Sequence, residues 1–314
     1  MSPIQVSKVH VFTGHNDCVY TLAPSVSDSV FFSGGGDGMV VKWDLTQPNQ
    51  GELIARLPNS VYALHHDKES NLLIAGHNYE GSHLLDWQSK QEVGSLKLTS
   101  AAIFDIVTTN HDVLIATGEG MLIVVDRNDL RIKTKLALSG KNARVLAINP
   151  KVGEVAVGFS DNFIRVFSLQ DYKLKFEFNA HDNSVFALSY TPDYNFLISG
   201  SRDARLKLWD VNSGYAQAGE VVAHLFAINH IAFSPSGKYF ATGSMDKSIK
   251  VWLTSELKLL KVIDKARHAG HGTSVNKLWW SPYQNQLVSA SDDRTISVWD
   301  IRFPGSIPTA LEEL

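Results

Sequence analysis

The phrase LISGSRDARLKLWD at 197–210 constrains this chain more than any other stretch, because the chain keeps repeating it. It reads as a strand (Leu197–Gly200), a tight turn on Arg202–Asp203 and a second strand (Leu206–Trp209), with the two-residue side-chain period of a sheet. It returns as FFSGGGDGMVVKWD at 31–44, FATGSMDKSIKVWL at 240–253 and LVSASDDRTISVWD at 287–300. With Trp209 as the register mark, the equivalent positions are Trp43, Leu85, Val125, Phe167, Trp209, Trp252 and Trp299, spaced by 42, 40, 42, 42, 43 and 47 residues. A unit of that length, with room for four short strands, cannot bury its apolar faces alone but can do so against neighbours. The period therefore predicts an all-β, seven-bladed β-propeller with four-stranded antiparallel blades.

Each unit opens with a second phrase: Val19-Tyr-Thr-Leu22, Val61-Tyr-Ala-Leu64, Ile103-Phe-Asp-Ile106, Val145-Leu-Ala-Ile148, Val185-Phe-Ala-Leu188, Ile228-Asn-His-Ile231 and Val275-Asn-Lys-Leu278. These read as the innermost strands, lining a central channel, and turn signals such as Asn149-Pro150 and Ser281-Pro282 follow several of them. The last unit ends at Trp299–Arg302 after its third strand, while Lys8–Phe12 is a spare strand ahead of Gly14-His15. Pairing that N-terminal strand into blade 7 closes the ring and leaves no open edge between first and last blades. The expectation is one domain over 8–302, with units near 13–52, 53–93, 94–135, 136–177, 178–219, 220–262 and 263–302. A tail at 303–314 follows, in which Ile307–Leu314 reads as one or two helical turns or as a disordered end.

Gly-His … Trp-Asp at this period resembles the WD-repeat family, over about residues 9–302. Four units carry a complete polar set: His15, Ser33, Asp37, Trp43; His181, Ser199, Asp203, Trp209; His224, Thr242, Asp246, Trp252; and His271, Ser289, Asp293, Trp299. Out of context, His, Ser and Asp suggest a hydrolase. A catalytic triad is made once, however, whereas this set is made four times, each within one unit. The resemblance implies a structural hydrogen-bond chain from the indole through Ser/Thr and His to Asp. The middle units depart from it, with Ala75 and Tyr79 in the second, Val125 and a shortened turn in the third, and Val157 and Phe167 in the fourth. Blades 2–4 are therefore expected to rest on apolar packing rather than polar networks, and to exchange amide hydrogens faster than blades 5–7.

A net charge of −3 gives no footprint for nucleic acid or an anionic membrane. The single cysteine, Cys18, rules out an intrachain disulfide and suits a reducing compartment. MSPIQVSKVHVF lacks the basic and apolar regions of a signal peptide, and no apolar run is long enough to span a bilayer. An intracellular, cytoplasmic, monomeric propeller is expected. There is no Gly-rich phosphate loop opening a helix and no G-x-S-x-G, H-E-x-x-H or C-x-x-C. The pair His268 and His271 has no carboxylate or thiol at ligand spacing. No metal, cofactor or catalysis is expected.

Function is then sought on the surface. The resemblance implies that partners dock at the narrow end of the channel, over the residues flanking the first apolar residue of each inner strand and before each turn Asp. Just after that apolar residue come Tyr20, Tyr62, Phe104, Leu146, Phe186, Asn229 and Asn276. Arg144 comes just before it in blade 4, and Arg202, Met245 and Asp292 precede turn aspartates. Two readings of the run Tyr, Tyr, Phe, Leu, Phe stay open. The side chains fill the space between blades, or they form an apolar crescent rimmed by Arg144 and Arg202. The second makes the protein a non-catalytic scaffold that docks a peptide or protein partner within a larger assembly. The alternative is an enzyme or small-molecule binder using the channel, with Asp105 and Lys277 as its polar cluster.

Overall fold

Short runs of Val, Ile, Leu and Phe broken by two-residue turns pair locally and then stack. In the computed structural model, which describes residues 4–304 apart from 49 and 80, they form seven four-stranded antiparallel sheets, the blades of a β-propeller. Blade 1 runs outward from Val19–Pro24 through Val30–Gly35 and Met39–Asp44 to Gly51–Arg56. The inner strands of blades 2–7 are Val61–Asp67, Ile103–Thr108, Ala143–Asn149, Val185–Tyr190, Ile228–Phe233 and Val275–Trp280. Second strands such as Asp112–Thr117 and Glu154–Phe159 are buried along their whole length, whereas outer strands such as Ile132–Ala137 alternate with solvent. Burial on both faces explains the near-continuous apolar runs of the second strands.

Ring closure uses Gln5–Phe12, which pairs antiparallel with Ile296–Arg302, from Gln5 opposite Arg302 to Phe12 opposite Ile296. This strand starts three residues before the Lys8 expected from the sequence pattern. The segment 305–314, for which a helical turn or a disordered end is expected, lies outside the described residues.

The four His–Ser/Thr–Asp–Trp sets share one geometry. In blade 5, Trp209 Nε1 donates to Ser199 Oγ (2.8 Å), the hydroxyl lies 2.7 Å from His181 Nε2, and His181 Nδ1 lies 2.9 Å from Asp203. Proton donation can run in one direction, from indole to hydroxyl to imidazole to carboxylate. The carboxylate also accepts the backbone N–H of Asp182 (3.1 Å) and of Arg205 (2.9 Å), which ties the incoming loop to the tight turn. Although burial opposes it, these donors and His181 hold the Asp203 carboxyl down at about 2. The hydroxyls of Ser33, Ser199, Thr242 and Ser289 belong to residues with no exposed surface, out of reach of any substrate.

Blades 2–4 do not rest on apolar packing alone, contrary to the expectation. They carry polar seams between blades in place of the set within a blade. On the face opposite the strand starts, buried Asp67 of blade 2 accepts Arg127 Nε from blade 3 (3.0 Å). Buried Asp112 of blade 3 accepts the Tyr172 hydroxyl from blade 4 (2.6 Å). Buried Glu154 of blade 4 accepts the Tyr215 hydroxyl from blade 5 (2.6 Å), itself 2.7 Å from the Tyr190 hydroxyl. Each carboxylate sits near a strand end, where a neighbour's turn can reach it.

Candidate docking site at the channel mouth

The site is built by one backbone irregularity made seven times. In blade 1, Val19 pairs with Gly35 and Thr21 with Gly34, so Tyr20 is an extra residue in a β-bulge. The same register step isolates Tyr62, Phe104, Phe186, Asn229 and Asn276 in blades 2, 3, 5, 6 and 7. A bulge leaves its extra residue out of the ladder and re-aims its side chain. Here the re-aimed side chains gather round one opening.

Blade 4 corrects the sequence alignment. Ala143 pairs with Phe159 and Val145 with Gly158, so the bulged residue is Arg144, and Val19 is matched by Ala143 rather than Val145. The hydrogen bond from Ser160 N to Asn142 O (2.8 Å) repeats that from Gly36 N to Cys18 O (2.8 Å), which fixes the same register. Leu146 is consequently no part of the mouth. It is 5% exposed and packs with Val155, Val157 and Phe167 in the core between blades 3 and 4.

Tyr20, Tyr62, Phe104, Arg144, Phe186, Asn229, Met245, Asn276 and Asp292 line a single cavity of about 310 Å³. Arg202 stands exposed on its rim. The aromatic rings are half-buried. Tyr20 and Tyr62 lie 4.7 Å apart between centroids, and Tyr62 and Phe104 6.0 Å. The Arg144 guanidinium lies 4.2 Å from the Phe104 ring centre and 5.3 Å from that of Phe186, and its Nε donates to Ser160 Oγ (3.0 Å). In the amide orientation that satisfies its neighbours, Asn142 accepts from Arg144 Nη2 (3.1 Å). Burial, then the charge of Arg202, holds this guanidinium below its ordinary value. Across the mouth, Asn229 Nδ2 donates to Ser274 Oγ and Val275 O (both 2.9 Å), and Asn276 Nδ2 to Asp292 (2.7 Å) and Val19 O (3.0 Å).

One step deeper, Asp105, Val145, His230 and Lys277 border both this cavity and a second one of about 390 Å³ that opens at the other face. They form the waist of the channel. Asp105 accepts two backbone N–H groups, from Leu146 (2.8 Å) and Ile106 (3.1 Å), and so clips blade 3 to blade 4. Burial pushes its carboxyl above the ordinary range, against the pull of Lys277. Among the described residues, Asp105 and Lys277 form no ion pair with each other, and no group of three His, Cys, Asp or Glu is placed to hold a metal.

Two residues beyond the expected set matter at the rim. Leu225 and Phe226 follow His224 and are 81% and 61% exposed. The matching loops of blades 1, 5 and 7 read Asn16-Asp17, Asp182-Asn183 and Gly272-Thr273. The break from polar to apolar at one position of the repeat is the signal that could have found them.

The fold and this mouth define a propeller scaffold with a concave, mixed aromatic and polar opening at the end where the inner strands start. The family model described as WD domain, G-beta repeat matches residues 6–44, 172–210, 217–252 and 263–300. With four such matches on a seven-bladed ring, the chain belongs to the WD-repeat family. It is 25% identical over 209 residues to Meiotic fizzy-related protein 1 of Schizosaccharomyces pombe, covering 64% of this chain and 49% of that protein. It is 24% identical over 301 residues to the 66 kDa stress protein of Physarum polycephalum (92% and 47%) and 23% over 260 residues to Striatin-3 of Rattus norvegicus (70% and 31%). The chain thus spans about half or less of the length of these relatives. No helix among the described residues is long and apolar enough to cross a membrane.

Proposed function

We propose that the protein is an interaction scaffold, without chemistry of its own, that docks a peptide or protein partner over the bulge-lined mouth. The observation that carries this is the set of seven bulges, which aim four aromatic rings, an arginine and two amides into one half-open cavity. Aromatic and arginine side chains in a concave, partly desolvated setting are the residue types that dominate binding energy at interfaces. Membership of a family whose members bind proteins supports the same reading. The alternative, a channel ligand at Asp105 and Lys277, has less behind it, because both carboxylate oxygens of Asp105 already serve backbone N–H groups.

The test is a photo-crosslinking amino acid placed at Tyr62 in one variant and at exposed Lys173, on the outer rim, in another. A discrete protein should crosslink from Tyr62 and not from Lys173, and Tyr20→Ala with Phe186→Ala should abolish it while the circular dichroism of the propeller persists. Equal crosslinking from both positions, or none from Tyr62 in lysate of the source cells, would refute the docking role.

A further inference from the structure

We infer that the sector of the mouth formed by blades 4 to 6 receives an acidic side chain, with a bulky apolar side chain beside it, from a segment of a protein partner. This rests on the docking function proposed above and adds the chemistry of what docks.

Arg127, Arg131, Arg165, Arg205 and Arg267 each hold a carboxylate. Among the described residues, Arg56, Arg144, Arg202 and Arg294 hold none, and of these Arg144 lines the mouth with the charge of Arg202 beside it. The Arg144 fork is also preset. It lies against Phe104 and Phe186, with Nε on Ser160 and Nη2 on Asn142, so little further ordering is needed to meet a planar carboxylate. A guanidinium that is partly desolvated, immobilised and unpaired favours an incoming anion more than a solvated one does. The same arrangement argues against a cationic ligand in an aromatic cage, since Arg144 already occupies the ring of Phe104.

The apolar half lies on the next blade. Leu225, Phe226 and Met245 are exposed by 81%, 61% and 50%. Met245 N bonds Ala227 O (3.0 Å), which sets its backbone beside the Leu225–Phe226 loop. That loop in turn leans on blade 5, where His224 N donates to Ala204 O (3.1 Å), two residues beyond Arg202. Arg144, Arg202 and the apolar patch therefore follow one another on blades 4, 5 and 6. A segment lying across all three reaches both halves, with its acid on the arginines of blades 4 and 5 and its apolar side chain on blade 6. The opposite rim carries Asp17 and Asp292, which repel an acid and restrict it to this sector.

The experiment is selection of random linear peptides displayed on phage against the purified chain. Enriched peptides should carry Asp or Glu near Phe, Leu, Ile, Met or Trp. Their affinity should fall by about tenfold or more with Arg144→Met, the loss of a charge-assisted hydrogen bond, and fall likewise with Phe226→Ser. Arg202→Glu, an exposed substitution that leaves folding intact, should turn the selected acid into Lys or Arg. Enriched peptides that lack an acid yet lose binding with Phe186→Ala would overturn this inference and leave the docking function standing. No enrichment, or peptides indifferent to every mouth substitution, would overturn both.

Discussion

The ring is assembled through notches, and one of them offers a quantitative test. In blades 1, 2, 4, 5 and 6 a second-strand glycine faces the β-branched residue that opens the next blade: Gly34 and Val61, Gly76 and Ile103, Gly158 and Val185, Gly200 and Ile228, Gly243 and Val275. A Cβ on these glycines would fall 2.5–2.8 Å from a Cγ of the partner. Between blades 3 and 4 the pair is Ala116 with Ala143, both fully buried in one core. The size missing on one side is returned on the other. Gly200→Ala places its methyl 2.7 Å from Ile228 Cγ2, and Gly200 does not adopt a left-handed φ, so the contact alone opposes the substitution. Overpacking costs about 1–3 kcal/mol, and the stiffer unfolded chain returns about 0.4–1 kcal/mol, for a net loss of about 0–2.6 kcal/mol. The Ala290 and Val19 pair at the junction of blades 7 and 1 shows that the ring can absorb an alanine against a valine, which favours the lower half of that range. Ile228→Ala leaves a cavity and costs about 2–5 kcal/mol. The double variant recreates the junction of blades 3 and 4, so its loss should fall short of the sum by about 1–3 kcal/mol. Urea midpoints from tryptophan fluorescence give the four corners of the cycle. Additivity within about 0.5 kcal/mol would refute the notch as a coupled pair.

Two further outcomes follow from other parts of the ring. Burial holds His65 down at about 4 and His230 well below its ordinary 6.5, so between those values the unfolded chain takes up protons that the folded one does not. Stability should therefore fall as pH drops from about 6.5 toward 4, and His65→Gln should flatten the slope of the urea midpoint against pH; an unchanged slope would exclude His65 as a contributor. At the seams, Tyr215→Phe leaves buried Glu154 and Tyr190 each short of a partner and should cost about 1–3 kcal/mol. Amide exchange in the second strands of blades 3 and 4 should be as slow as in blades 5–7 in the wild type and quicken in that variant, whereas fast exchange in the wild type would show that the seams contribute little.

The blade count and the closing strand were legible because each rests on residues that recur at one offset: Trp43, Trp209, Trp252 and Trp299 with their turn aspartates, and a spare strand before Gly14. The mouth was legible wherever the first residue of the inner strand is β-branched. At blade 4 the notch requires the small Ala143, and the β-branched signal falls two residues on, at Val145. That shift of two residues put Leu146 on a surface from which its packing excludes it. The seams were not legible at all. Arg127, Tyr172 and Tyr215 recur at 45 and 43 residues, but they differ in type, one guanidinium and two phenols, and stand 2, 5 and 6 residues past Val125, Phe167 and Trp209, so no shared phrase marks them. Their partners Asp67, Asp112 and Glu154 lie about 60 residues away in sequence.

Six of the seven blades are made from contiguous chain, and each can assemble as its own strands emerge. Blade 7 alone needs residues 5–12 and 296–302 at once. The clasp therefore forms last, across a loop of nearly the whole chain, whose length-dependent closure entropy is about 5 kcal/mol. Until it closes, Ile296–Arg302 is an unpaired edge that a second copy's Gln5–Phe12 could occupy. The strand that completes the circle is thus also the point at which two nascent molecules could exchange arms, and high concentration during refolding is the condition that would select between a closed ring and a linked pair.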